Sequence, residues 1–128
     1  MEIEIKKQTT NRPSLLTVAI ESLEKFKAQD IIKIDLSGKT SIADFMLIAS
    51  GTSSRQIRAM AENTVTMIKK NAKVSVNVEG LNQGDWVLID SGDIIIHLFR
   101  PEVREFYNLE KMWQINSIQD TKTENLEI

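Results

Sequence analysis

Asp85-Trp86-Val87-Leu88-Ile89-Asp90-Ser91-Gly92-Asp93-Ile94-Ile95-Ile96-His97-Leu98-Phe99-Arg100 is the stretch on which the fold turns. Two runs rich in branched and aromatic residues flank Ser91-Gly92, and two-residue loops of this kind close β-hairpins. With Ser91-Gly92 as the turn, Asp90 opposes Asp93, Leu88 opposes Ile95 and Trp86 opposes His97, and opposed residues share a face. One face is then Val87, Ile89, Ile94, Ile96 and Leu98, aliphatic and suited to packing beneath helices. The other carries Trp86, Asp90, Asp93, His97 and Phe99, a mixture of aromatic, acidic and titratable groups that suits a recognition surface unless a second layer covers it.

Upstream, the apolar residues Leu15, Leu16, Val18, Ala19, Ile20, Leu23 and Phe26 recur at helical spacing, with Glu21, Glu24, Lys25 and Lys27 on the other side. An amphipathic helix is expected over Pro13 to Lys27, capped by Asn11 or Ser14, with Pro13 in its first turn. Asp30 to Leu36 alternates Ile32, Ile34 and Leu36 against Lys33 and Asp35, as a half-buried strand does. Ser37-Gly38-Lys39 turns the chain into Asp44 to Ser50, apolar on both sides as an inner strand is. Ser53 and Gln56 form a capping box for a helix running to Asn71, whose side is lined by Ile57, Met60, Ala61, Thr64, Val65 and Ile68. Asn71 suits a left-handed stop, and Lys73 to Val78 resumes the sheet.

After the hairpin, Pro101 ends the last strand and Glu102 to Trp113 reads as short helical turns. The polar stretch beyond Ile118 has no period and is expected to be disordered. The chain therefore divides into a flexible 1–11, one folded domain over 12–117, and a tail at 118–128. The order of elements fits an α/β (α+β) architecture, a mixed five-stranded sheet with two main helices on one face.

Composition narrows the function. At 128 residues the chain can bury one sizeable core. The apolar runs Phe45 to Ala49 and Ile94 to Ile96 are far shorter than the roughly 20 residues that span a bilayer. The opening Met-Glu-Ile-Glu-Ile-Lys-Lys lacks the pattern of a secretory signal, so the cytoplasm is the expected location. The absence of cysteine rules out disulfides, thiolate metal sites and a cysteine nucleophile. The lone histidine, His97, rules out a multi-histidine metal site. No cofactor is expected. A net charge of −2 disfavours grip on nucleic acid through phosphates, which a basic patch would supply.

Asp44-Phe45 through Ser50-Gly51, followed by Ser53-Ser54-Arg55-Gln56, resembles the first signature block of the Iojap-like ribosomal silencing factors. Glu79-Gly80, Asp85 to Asp90 with Gly92-Asp93, and His97-Leu98-Phe99 with Arg104, Phe106-Tyr107, Leu109-Glu110 and Trp113 match further blocks in order, over roughly Leu15 to Trp113. The resemblance implies a nucleotidyltransferase-like fold without the chemistry. It also implies docking on the large ribosomal subunit through its ribosomal protein fourteen, at the intersubunit face. Such docking blocks the small subunit and represses translation, especially under nutrient limitation. A mildly acidic factor suits a basic ribosomal protein better than rRNA. Self-association of the free protein as a homodimer stays open.

The expected partner-binding residues are Trp86, Asp90, His97, Phe99, Arg104, Tyr107, Glu110 and Trp113. Each has a plainer reading. Trp86 could be a packed sheet residue and His97 a satisfied structural one. Asp90 and Asp93 could be turn formers, and Arg104, Tyr107 and Glu110 a local cluster. The competing function is a nucleotide-binding or nucleotidyl-transferring enzyme using the amides at the Ser53 helix N-terminus. Against it, no Asp-x-Asp pair follows Ser53, and there is neither a Walker loop nor a Gly-x-Gly-x-x-Gly string.

Overall fold

The structure is a computed structural model and describes residues 14–107. Ser14 caps the first helix, α1 (Leu15–Lys25), its Oγ accepting from Thr17 N at 3.1 Å. Asn11 and Pro13 lie outside the described residues, as do the flanks expected to be flexible. The helix stops two residues earlier than its periodicity suggests. Lys27 adopts φ 63, so that Lys27 N bonds Glu24 O and Ala28 N bonds Leu23 O, each at 2.9 Å. These are the paired backbone bonds of a Schellman stop, here built on lysine rather than glycine.

Strand β1 (Gln29–Asp35) follows, with an irregularity between Gln29 and Ile32, and then β2 (Phe45–Ser50). Helix α2 (Ser54–Asn71) begins at Ser53, whose Oγ accepts from Gln56 N at 3.0 Å. Only half of the expected capping box forms. Instead of turning back to Ser53 N, the Gln56 side chain accepts from Thr52 N and donates to Phe26 O at 2.9 Å, tying the start of α2 to the end of α1.

The left-handed stop expected at Asn71 is absent: Ala72 is extended at φ −153, and Asn71 Nδ2 bonds Met67 O at 2.8 Å. The strand expected over Lys73 to Val78 shrinks to β3 (Asn77–Glu79). Its partner β4 (Trp86–Asp90) is five residues long, and Asn77 already sits opposite its last residue, Asp90. Nothing remains for residues before Asn77 to pair with.

The final elements are β5 (Ile94–Phe99) and α3 (Pro101–Tyr107). The strands form one mixed five-stranded sheet in the order β1-β2-β5-β4-β3, parallel between β2 and β5 and antiparallel elsewhere.

Apolar residues fill both sides of this sheet. Under α1 and α2, the residues Ala19, Leu23, Ile57, Met60 and Ile68 meet Leu47, Val87, Ile89, Ile96 and Leu98. Val65, expected in the buried stripe of α2, only flanks it. A polar bridge joins the helices within this layer: Asn63 Nδ2 donates to Ser22 Oγ at 2.7 Å, and Ser22 Oγ lies 2.8 Å from Thr64 Oγ1. On the opposite side, Ile34, Leu36, Ala43, Met46, Ile48, Ile95 and Phe99 form a second cluster, flanked by Ile32, Trp86, Leu88 and Val103. Burial on both faces explains why β2 up to Ala49, and β5 apart from His97, read as apolar runs.

Candidate docking surface

The β4–β5 hairpin forms, with its turn one residue later than the sequence suggests. Ser91 N donates to Ile94 O at 3.0 Å, so the loop is Gly92-Asp93. Gly92 takes φ +94, which suits a two-residue loop with glycine first. Asp90 Oδ1 accepts from Gly92 N at 2.9 Å, so Asp90 serves as a turn former. Asp93 O in turn accepts from Asp44 N at 2.8 Å and Phe45 N at 3.1 Å, which fixes the loop against the start of β2.

Moving the turn by one residue shifts every pair by two. Trp86 therefore opposes Phe99, Leu88 opposes His97 and Asp90 opposes Ile95. An even shift preserves the faces. Trp86, His97 and Phe99 do share one, as expected, but Trp86 and His97 are diagonal neighbours. Asp93 sits in the loop, not on the strand face.

These three rings form one cluster, each within 6 Å of the other two. Trp86 lies over Phe99 with centroids 4.9 Å apart and planes 24° apart, and His97 is 5.8 Å from Phe99 at 22°. The indole Nε1–H of Trp86 donates to His97 Nδ1 at 3.0 Å. Indole nitrogen only donates, so His97 Nδ1 is unprotonated here. Burial agrees: His97 is 8% exposed, and desolvation lowers its pKa from 6.5 to about 4.

The expectation of an open aromatic face needs correction at two positions. Phe99 is fully buried and His97 nearly so, because Ile34, Met46, Ile48 and Val103 close the second layer around them. Trp86 stays half-buried. Arg104 is 9% exposed and donates from Nη1 to Ser50 Oγ at 2.7 Å, fastening α3 to the end of β2. Tyr107 is the last residue of α3. Glu110 and Trp113 lie outside the described residues.

The corrected register brings out a group that sequence reasoning missed. Arg100 N bonds Asp85 O at 3.1 Å, extending the β4–β5 ladder, and the Arg100 guanidinium pairs with Asp85 at 3.5 Å and with Glu102. Asp85 and Arg100 neighbour Trp86 and Phe99 in the chain, and all three charges are well exposed. Their signal was the opposition of Asp85 and Arg100, hidden by the wrong turn.

The competing phosphate site has three of its six backbone amides, Gly51 to Gln56, already engaged. Gly51 N bonds Phe99 O at 3.0 Å, Thr52 N bonds Gln56 Oε1 at 2.6 Å, and Gln56 N is taken by Ser53 Oγ. Among the described residues, no three His, Cys, Asp or Glu side chains gather as a metal site would need.

A family model described as ribosomal silencing factor during starvation, RsfS, matches residues 9–127. The chain belongs to the RsfS family. It is 53% identical over 116 residues to the ribosomal silencing factor RsfS of Zymomonas mobilis, covering 90% of this chain and 87% of that one. A mouse relative named mitochondrial assembly of ribosomal large subunit protein 1 is 35% identical, over 82% of this chain and 47% of its own length. The crystal structure of a Chromobacterium violaceum protein superposes with a TM-score of 0.74 at 40% identity, covering 78% of this chain and 83% of that one. RsfS proteins are ribosomal silencing factors, regulators rather than enzymes.

Proposed function

We propose that this protein docks on the large ribosomal subunit at its intersubunit face, through ribosomal protein fourteen, and blocks joining of the small subunit. Translation is thereby repressed in the cytoplasm when nutrients are short. The observation that carries the reading is the half-buried Trp86 braced by Phe99 and His97 beside the Asp85–Arg100–Glu102 charges. A rigid aromatic anchor with a polar rim is the usual form of a binding hot spot. The net charge of −2 favours a basic protein partner over rRNA, and the mouse relative's name points to the large subunit. Residues 12–117 form the docking unit, with Asp90, Arg104, Tyr107, Glu110 and Trp113 supporting or extending its surface.

Trp86→Ala tests this directly. Loss of a hot-spot tryptophan costs ~2 kcal/mol or more of binding, about thirtyfold in affinity. Because Trp86 also covers Phe99, the variant should melt somewhat earlier than the parent while remaining folded at the assay temperature. Light scattering during association of purified subunits reads the block, and circular dichroism reads the fold. A folded Trp86→Ala protein that blocks joining as well as the parent would remove the anchor. Deleting residues after Ile118 should leave both readouts nearly unchanged.

A further inference from the structure

Stacking and hydrogen bonding constrain the Trp86 ring in different ways. Contact with Phe99 sets the plane of the indole, yet a ring turned over by 180° about its terminal torsion keeps the same plane. That torsion has broad, roughly two-fold preferences, so stacking leaves two orientations. The bond from Nε1 to His97 Nδ1 separates them, because a turned ring would leave Nδ1 buried without this donor. It also directs the edge remote from Nε1 away from His97. His97 is itself well held, its residue paired with Ile48 on one side and Leu88 on the other. Being almost wholly buried, it is poorly placed to touch a partner.

We infer that His97 is a positioning residue: by accepting the indole N–H of Trp86 at Nδ1, it holds the tryptophan in the single orientation that docks. This rests on the reading of Trp86 as the docking anchor. The gain is preorganisation, since a ring already in its bound orientation loses less freedom on association. His97 and Trp86 thus act as a pair in which only the tryptophan meets the partner.

Three substitutions separate positioning from bulk. His97→Phe keeps a flat ring but removes the acceptor. His97→Asn puts a carbonyl oxygen near the place of Nδ1, and His97→Gln puts one nearer Nε2. The Trp86 indole N–H is followed by proton exchange in NMR, its resonance identified by its loss in Trp86→Phe, and binding is measured with purified large subunits. Removing the acceptor should speed exchange and weaken binding by about five- to tenfold, the worth of one hydrogen bond. Asn should restore both properties and Gln neither. Folded Asn and Gln variants that bind alike would overturn the inference even if the Phe variant does not fold. A folded Phe variant that exchanges fast yet binds like the parent would also overturn it. Trp86→Ala run in parallel reports on the anchor itself: unchanged binding there sinks the docking reading, whereas a weakened Trp86→Ala beside a fully active His97→Phe sinks only the positioning role.

Discussion

Arg104 reaches from α3 to Ser50 at the end of β2, donating from Nη1 to Oγ at 2.7 Å across 54 positions of chain, with both residues buried. The contact fastens the last described helix to the sheet. A hydrogen bond involving a charged donor contributes about 1.5–3 kcal/mol. Ser50→Ala should therefore lower stability by about 1–3 kcal/mol, read by urea unfolding. Arg104→Met should cost a similar amount, and the double variant less than the sum. Strict additivity would show that the two groups do not act as a pair.

Gly80 separates steric conflict from backbone preference. It has φ +83, and a Cβ there would lie 2.1 Å from Trp86 O, whereas Gly38 has φ +77 and nothing within 4 Å. Gly38→Ala should lose about 1 kcal/mol, the cost of a left-handed residue, and Gly80→Ala clearly more, because backbone must also move. Equal urea midpoints for the two variants would contradict the close approach of β3 to β4.

Ile96 tests the layer beneath the helices. It is fully buried among Leu47, Ile89 and the residues of α2, so Ile96→Ala should cost roughly 2–5 kcal/mol through the cavity left behind. Any loss of subunit binding should follow the unfolded fraction. If binding falls while the melting temperature holds, Ile96 is acting in recognition and the assignment of faces is wrong.

His97 links stability to pH. Its folded pKa lies at about 4, below the ordinary 6.5, because burial penalises the charged ring. Below pH 6.5 the unfolded chain takes up a proton that the folded chain refuses. The contribution is therefore intact above that value and is lost as pH falls towards 4. The loss is about 2 kcal/mol at pH 5 and reaches about 3 kcal/mol at lower pH. The difference in unfolding free energy between the parent and His97→Phe, measured at pH 7 and pH 5, isolates this group from the carboxylates. A pH-independent difference would mean that His97 titrates normally.

Short-range chemistry was legible in the sequence. Caps at Ser14 and Ser53 are set by bonds three residues along, and the stripe of Ile57, Met60, Ala61, Thr64 and Ile68 by helical period. The two-sided apolar run of β2 marked an inner strand, and the blocks from Asp44 to Trp113 carried the family. What the sequence left undecided depends on contacts between distant segments. The hairpin turn settles on Gly92-Asp93 where Asp93 O meets the amides of Asp44 and Phe45, about fifty residues away in the chain, and that choice pairs Trp86 with Phe99. β3 is short because β4 is short, α2 ends at Asn71 without the left-handed stop that asparagine suggests, and α1 closes through a left-handed Lys27 that no glycine or asparagine announces. Phe99 and His97 seemed exposed because alternation along a strand separates two faces without saying what covers either. Residues from β1, β2 and α3 converge to bury them, and Trp86 remains half-buried because that cover is incomplete over it.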